Sequence, residues 1–172
     1  MARIPPKPAH CYPWYLRIFF FFQKRKWGAV PMPLLLWGRA PTVMIAFLSM
    51  WKKLNRKRSP LPAELRALIS LRVSQINTCT FCIDLNTALL LQQGACQERI
   101  GALSQYNCSP LFDEKEKTAL LYTEQVTKEK SDVSEELFAT LLTYFSEDAI
   151  VELTALIAFQ TLSCKFNTAL GA

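Results

Sequence analysis

The sequence predicts an all-α protein, and three observations carry that expectation. Glycine occurs only 5 times in 172 residues, and the chain beyond residue 63 is rich in Leu, Ala, Glu and Thr, a composition that favours helices over strands. Apolar residues recur at helical spacing in several stretches, as in Leu65, Leu68, Ile69, Val73 and Ile76. With 51% hydrophobic and 20% charged residues, the chain has enough apolar surface to bury a core of about one domain. Disorder over the whole length is thereby excluded.

The net charge of +6 conceals a division. Residues 1–63 carry twelve Lys or Arg and no acid, whereas residues 64–172 carry eight Lys or Arg against fourteen Asp or Glu. We read residues 1–40 as a basic, aromatic, proline-rich N-terminal arm and residues 41–172 as a helical domain.

Taken in order, residues 1–13 predict an extended, mobile tail, because Pro5, Pro6, Pro8 and Pro13 punctuate them. Residues 15–23 suit a short helix and residues 28–33 an irregular connector. Pro41 fits the first turn of a helix running to about Asn55, with Val43, Phe47, Met50, Trp51 and Leu54 on one stripe. Residues 56–62 form a basic link broken by prolines. A helix over 63–77 follows; Asn77 and Thr78 interrupt it, and a second helix begins near Cys79 and runs to Gln93, closed by Gly94 at the place of a C-terminal cap. Further helices are expected over 97–106, 113–130, 134–145 and 147–169. Two of their starts resemble capping boxes, one from Ser131 to Ser134 leading into Glu135 and Glu136, the other at Ser146 with Glu147 and Asp148. The last helix is apolar nearly all round, which places it in the middle of the body or at an oligomer interface.

A spanning helix needs about 20 apolar residues in one run, and between Ile18 and Met50 the run is broken by Lys24, Arg25, Lys26 and Arg39 and by Pro31, Pro33 and Pro41. A membrane span is not expected there. Prolines also fill the region where a secretory signal would need its apolar segment, so a reducing cytoplasm is the expected compartment. Lys24, Arg25, Lys26, Lys52, Lys53, Arg56, Lys57 and Arg58 lie beside Trp and Phe, which leaves a peripheral membrane contact open. No nucleic-acid motif accompanies them, and nucleic acid is not an expected partner. No glycine-rich phosphate loop is present, so nucleotide binding has no support.

The pattern that carries chemistry is Gln75-Ile76-Asn77-Thr78-Cys79-Thr80-Phe81-Cys82-Ile83-Asp84. Two thiols separated by two residues at a helix start can form a reversible disulfide, and the helix N-terminus favours the thiolate of the first. The bland alternative is two small hydrophobes in a helical core. A zinc site is not expected: four ligands are needed, Cys96 and Cys108 do not form a second close pair, and the single histidine, His10, lies in the tail. The same scarcity removes Cys-His and Ser-His catalysis from the body. Cys96, Cys108 and Cys164 are read as inert core residues, and neither a metal nor a cofactor is expected.

The run from Leu65 through Arg72-Val73-Ser74-Gln75-Ile76-Asn77-Thr78-Cys79-Thr80-Phe81-Cys82-Ile83-Asp84-Leu85 resembles the core of the carboxymuconolactone decarboxylase-like, alkylhydroperoxidase D-like superfamily. Phe145-Ser146-Glu147-Asp148-Ala149-Ile150, followed by Ile157-Ala158-Phe159-Gln160, resembles its last helices. The resemblance covers about residues 40–170. It implies an antiparallel helical bundle, a homo-oligomer (trimer or hexamer), and the dithiol chemistry of the hydroperoxidase branch. In that branch Cys82 would be peroxidatic and Cys79 resolving, a small hydroperoxide would be the substrate, and a dithiol carrier would regenerate the pair.

The sequence departs from that branch at the proton relay. A glutamate twelve residues before the first cysteine is replaced by Ala67, a histidine four after the second by Asn86, and Phe81 stands where a further histidine occurs. General acid–base help is typically worth about 10²–10⁴-fold. Gln75, Asp84 and Asn86 are the polar candidates near the pair, each equally readable as a helix-surface or capping residue. The expected function is thus a thiol-dependent hydroperoxide reductase. The alternatives are a general thiol–disulfide oxidoreductase, or a non-catalytic oligomeric module whose basic arm binds an acidic partner or a membrane surface.

Overall fold

The computed structural model describes residues 2–128 and 132–172, and their regular structure is entirely helical. Two compact units form, one from residues 1–53 and 166–172, the other from residues 54–165.

The first unit contains α1 (Trp14–Trp27), α2 (Met32–Trp37), nearly all of α3 (Pro41–Leu54) and the end of α9 (Glu147–Leu170). α1 runs four residues beyond its expected end, through Lys24, Arg25 and Lys26, and stops where Gly28 takes φ +77°. Cations in a last turn complement the helix dipole, so this charge run extends the helix rather than breaking it. α2 occupies a stretch with no expected helix: Pro33 lies in its first turn, where a missing N–H costs nothing.

Trp37 stacks on Phe47 at 4.4 Å and on Phe166 at 3.7 Å, while Tyr12 meets Phe20 edge-on at 5.1 Å. Gly38 lets these rings close in, since a Cβ there would lie 2.8 Å from Phe20 and 3.0 Å from Tyr12. The tail expected to be mobile is fastened instead. Arg39 donates to Pro5 O, the backbone N–H of Lys7 donates to Tyr12 Oη, and Tyr12 Oη donates to Leu35 O. The backbone N–H of Arg3 reaches Leu170 O at 2.8 Å. On α3 the inward face also differs from expectation: Met44 is buried and Phe47 and Leu48 pack with it, whereas Val43, Met50 and Trp51 are exposed.

The second unit is organised on α4 (Ala63–Ile76), which packs on α5 (Thr80–Gln92) and α7 (Glu114–Thr127); α7 packs in turn on α8 (Glu135–Tyr144). α6 (Gln97–Ala102) is shorter than expected because the chain tightens into a 3-10 turn over Leu103–Gln105. Leu68, Leu71, Leu90, Leu103, Tyr106, Phe112 and Leu120 form one buried cluster.

The caps differ from the sequence expectation as well. A reciprocal capping box occurs at Asp113 and Glu116, while Ser134 and Ser146 cap one-sidedly, accepting from Leu137 N and Ala149 N. Leu137, at the third helical position after Ser134, has no carboxylate to return the bond; Ser131 lies outside the described residues. α9 is long and apolar enough to cross a membrane by length and composition, yet 44% of its apolar window is buried inside the protein. Leu153, Leu156, Ile157 and Phe159 supply that buried face, while Val151 and Leu162 are exposed.

Candidate active site

The turn between α4 and α5 positions the cysteine pair. α4 ends in a Schellman arrangement, in which Thr78 N donates to Gln75 O and Cys79 N donates to Ser74 O. Thr78 sits at the left-handed position with φ +50°, a conformation that costs a β-branched residue about 1–2 kcal/mol. The same arrangement closes α5, where Gly94 occupies that position at φ +94°. The strained residue thus stands immediately before the first cysteine, and strain of this kind collects at functional sites.

Cys79 is the N-cap of α5 and Cys82 lies three residues into the chain beyond it, so both sulfurs face the same side, with Sγ to Sγ 2.7 Å. Both are buried, at 4% and 2% exposure. A third sulfur, missed by sequence reasoning, comes from α9: Cys164 is fully buried, and the three sulfurs lie within 4.8 Å of one another, with Phe81 packed against them. Cys96 and Cys108, expected to be buried alongside Cys164, are exposed; they sit at short caps and turns of the 96–108 segment, where little packs over them.

Polar groups surround the thiols. Ser74 Oγ donates to Ser70 O at 2.7 Å and accepts from Asn86 Nδ2 at 3.0 Å and from Gln160 Nε2 at 3.1 Å. Gln160 Nε2 also lies 3.5 Å from Cys164 Sγ, and Ser74 Oγ 3.9 Å from the same sulfur. Ser74, Asn86, Gln160 and Cys164 are each buried.

Hydrogen bonding from Cys82, aided by Gln160 and Cys79, holds the Cys164 thiol down at about 6 against the cost of burial. Cys82 is pushed upward by its hydrogen bond to Cys164, by burial, and by its contact with Cys79. The surroundings thus favour the charged form at Cys164 and the neutral form at Cys82.

Of the three polar candidates, Asn86 joins this network. Gln75 turns elsewhere and accepts from Arg72, whose guanidinium pairs with Glu124 at 2.5 Å. Asp84 is exposed on α5. Ala67, at the position of the relay glutamate, packs half-buried against the Leu68 cluster. Two signals in the sequence mark what was missed: Ser70 and Ser74 on α4, and Gln160 and Cys164 on α9, are polar pairs four residues apart within otherwise apolar helix faces.

A metal fits these sulfurs poorly as placed. Tetrahedral zinc with Zn–S near 2.3 Å separates its sulfurs by about 3.8 Å, whereas Cys79 and Cys82 are 2.7 Å apart.

An all-helical body with a buried Cys-x-x-Cys at a helix start defines a class of thiol-bearing helical proteins. Within that class the chain belongs to the carboxymuconolactone decarboxylase family, whose sequence model matches residues 41–125. It is 34% identical over 160 residues to the uncharacterized protein YnjA of Escherichia coli (strain K12), covering 92% of this chain and 87% of that one. Among solved structures it resembles an uncharacterized peroxidase-related protein from Silicibacter sp. TM1040, with TM-score 0.87 and 21% identity over 99% of this chain and 90% of that one. It also resembles the debrominase Bmp8, with TM-score 0.83 and 23% identity over 97% and 89%. With an alkylhydroperoxidase AhpD core structure from Ralstonia eutropha JMP134, at TM-score 0.86 and 22% identity over 99% of this chain and 90% of that one, these likenesses establish the alkylhydroperoxidase D-like fold.

Proposed function

We propose that this protein is a thiol-dependent hydroperoxide reductase that cycles Cys79 and Cys82 between dithiol and disulfide. The observation that carries this reading is the 2.7 Å approach of the two sulfurs inside a buried cluster that stabilises a thiolate. The peroxidase-related structural relative supports the same direction.

In the cycle, Cys82 sulfur attacks the terminal peroxide oxygen, the O–O bond breaks, and the products are an alcohol and a sulfenic acid on Cys82. The Cys79 thiol then displaces that hydroxyl as water and forms the disulfide. A dithiol carrier returns the two electrons and is itself oxidised. Burial of both sulfurs favours a small hydroperoxide, and Thr78 and Thr80, which flank Cys79, are exposed.

A homo-oligomer, trimer or hexamer, belongs to the same proposal. It is supported by the outward Trp14, Ile18, Phe21 and Phe22 of α1, an apolar face of the kind that subunit contacts cover. The test is NADPH-coupled turnover of hydrogen peroxide and cumene hydroperoxide with a dithiol carrier. Turnover that disappears in Cys82→Ser supports the reading. Equal rates in the two proteins sink it, and an inactive wild type returns the chain to the non-catalytic module whose basic arm binds an acidic partner or membrane surface.

A further inference from the structure

Ala67 and Asn86 stand at the positions of the relay glutamate and histidine, and the buried cluster brings another titratable group, Cys164, within 4.8 Å of the Cys82 sulfur. We propose that Cys164 is the proton-transfer partner of Cys82, a thiol acid–base standing where a conventional relay is missing. The assignment rests on the hydroperoxide-reductase reading above and concerns how the same site works.

The directions of the hydrogen bonds support it. The hydroxyl proton of Ser74 goes to Ser70 O, so Ser74 Oγ is left to accept from Asn86 and Gln160. One N–H of Gln160 is used on Ser74, and the same nitrogen lies 3.5 Å from Cys164 Sγ, so its second N–H is available to the sulfur. An amide donor aimed at a buried sulfur favours the charged form.

Ser74 and Asn86 therefore do not take the proton; they fix Gln160, and Gln160 stabilises the Cys164 thiolate. The groups around Cys164 Sγ are the sulfurs of Cys79 and Cys82, within 4.8 Å, Gln160 Nε2 at 3.5 Å and Ser74 Oγ at 3.9 Å, and of these only the two cysteines titrate. An inert core cysteine would meet carbon on every side. This one meets two sulfurs, an amide and a hydroxyl.

The proton then has a closed path. It passes from Cys82 S–H to Cys164 S⁻ as the Cys82 sulfur attacks the peroxide. The departing alkoxide takes a proton from Cys164 S–H, which returns Cys164 to the thiolate. Cys82–SH and ROOH have become Cys82–SOH and ROH, with no net change at Cys164. Cys79 resolves the sulfenic acid as before.

Two variants, Cys164→Ser and Cys164→Ala, test this, with peroxide-driven formation of the Cys79–Cys82 disulfide followed by peptide mass spectrometry across pH. Both should slow disulfide formation at neutral pH by about 10²-fold. Both should also move the acid limb of the pH profile to higher pH, because Cys82 must then ionise unaided. A purely structural role for Cys164 would lower the rate at every pH and leave the limb in place, and that result, or an unchanged rate, overturns the assignment.

A second measurement is independent of peroxide turnover. With Cys11, Cys96 and Cys108 replaced by Ser, ultraviolet thiolate absorbance at pH 7 should show one thiolate that Cys164→Ser removes. Its survival in Cys164→Ser overturns the assignment whatever the turnover. A wild type that carries the thiolate but forms no peroxide-dependent disulfide would sink the hydroperoxide reading, and with it the role of Cys164 in it.

Discussion

The two units of this protein are packed on different principles. The first is held by rings: Trp37 on Phe47 and Phe166, and Tyr12 against Phe20. The second buries Ser70, Ser74, Asn86, Thr118, Thr123 and Gln160 as well as three thiols. An aromatic interior is cheap to desolvate and carries no chemistry, whereas every buried polar atom costs stability unless it is bonded. The chain from Ser70 through Ser74 to Asn86, Gln160 and Cys164 is bonded at each step, so removing one member leaves its neighbours exposed to that cost. Chemistry should respond to changes in the second unit, and stability alone to changes in the first.

The largest contrast is expected from Cys82→Ser, which should abolish peroxide turnover while a Cys96→Ser/Cys108→Ser double variant stays near the wild-type rate in the coupled assay. Trp37→Ala should cost about 3–5 kcal/mol in chemical denaturation, as truncation of a buried ring does. It should leave the thiolate absorbance at pH 7 unchanged in the protein that remains folded.

Ser74→Ala leaves Asn86 and Gln160 without their shared acceptor and should cost about 1–3 kcal/mol. Because Gln160 is then no longer fixed, the Cys164 thiolate should also titrate at higher pH, seen by absorbance. The same change in the first unit's ring cluster has no such second effect.

Stability should follow pH through the same thiol. Cys164 is held at about 6 in the folded protein, below the roughly 8.5 of an unfolded cysteine, so its contribution is complete above the unfolded value and is lost as pH falls through about 6. Cys82, pushed upward, opposes this only above the unfolded value. Denaturation midpoints should therefore rise from about pH 6 to about 8.5, and a flat profile in Cys164→Ser would assign the slope. The smallest effect is expected at Thr78→Gly. Relief of the left-handed backbone is worth about 1–2 kcal/mol, from which glycine's extra chain entropy takes about 0.5–1, for a net gain of about 0–1.5 kcal/mol in thermal unfolding.

Local signals explain which elements could be read in advance. Pro41 opens α3, and Gly94 closes α5 at φ +94°, because a fixed φ and a missing Cβ act within one turn of chain. α2 is not legible in this way because Pro31 and Pro33 read as helix breakers, whereas Pro33 occupies a first turn. The inward face of α3 was misjudged for a different reason. Val43, Met44, Phe47, Met50 and Trp51 are all apolar, and only the rings they meet select Met44 and Phe47 over the rest. At the site, the spacing of Cys79 and Cys82 and the helix start between them were legible together. Gln75 and Asp84 lie as near to the pair in sequence as Asn86, yet only Asn86 turns to the network.

What the sequence determined by itself is the helical character, most element boundaries and the placing of a thiol pair at a helix start, since each depends on residues within a few positions of one another. What only the tertiary structure decided is that a third thiol completes the group. Ninety residues separate Ser74 from Cys164, and 86 separate it from Gln160. No local preference encodes a meeting across that distance; it follows from which faces of α4, α5 and α9 are buried together.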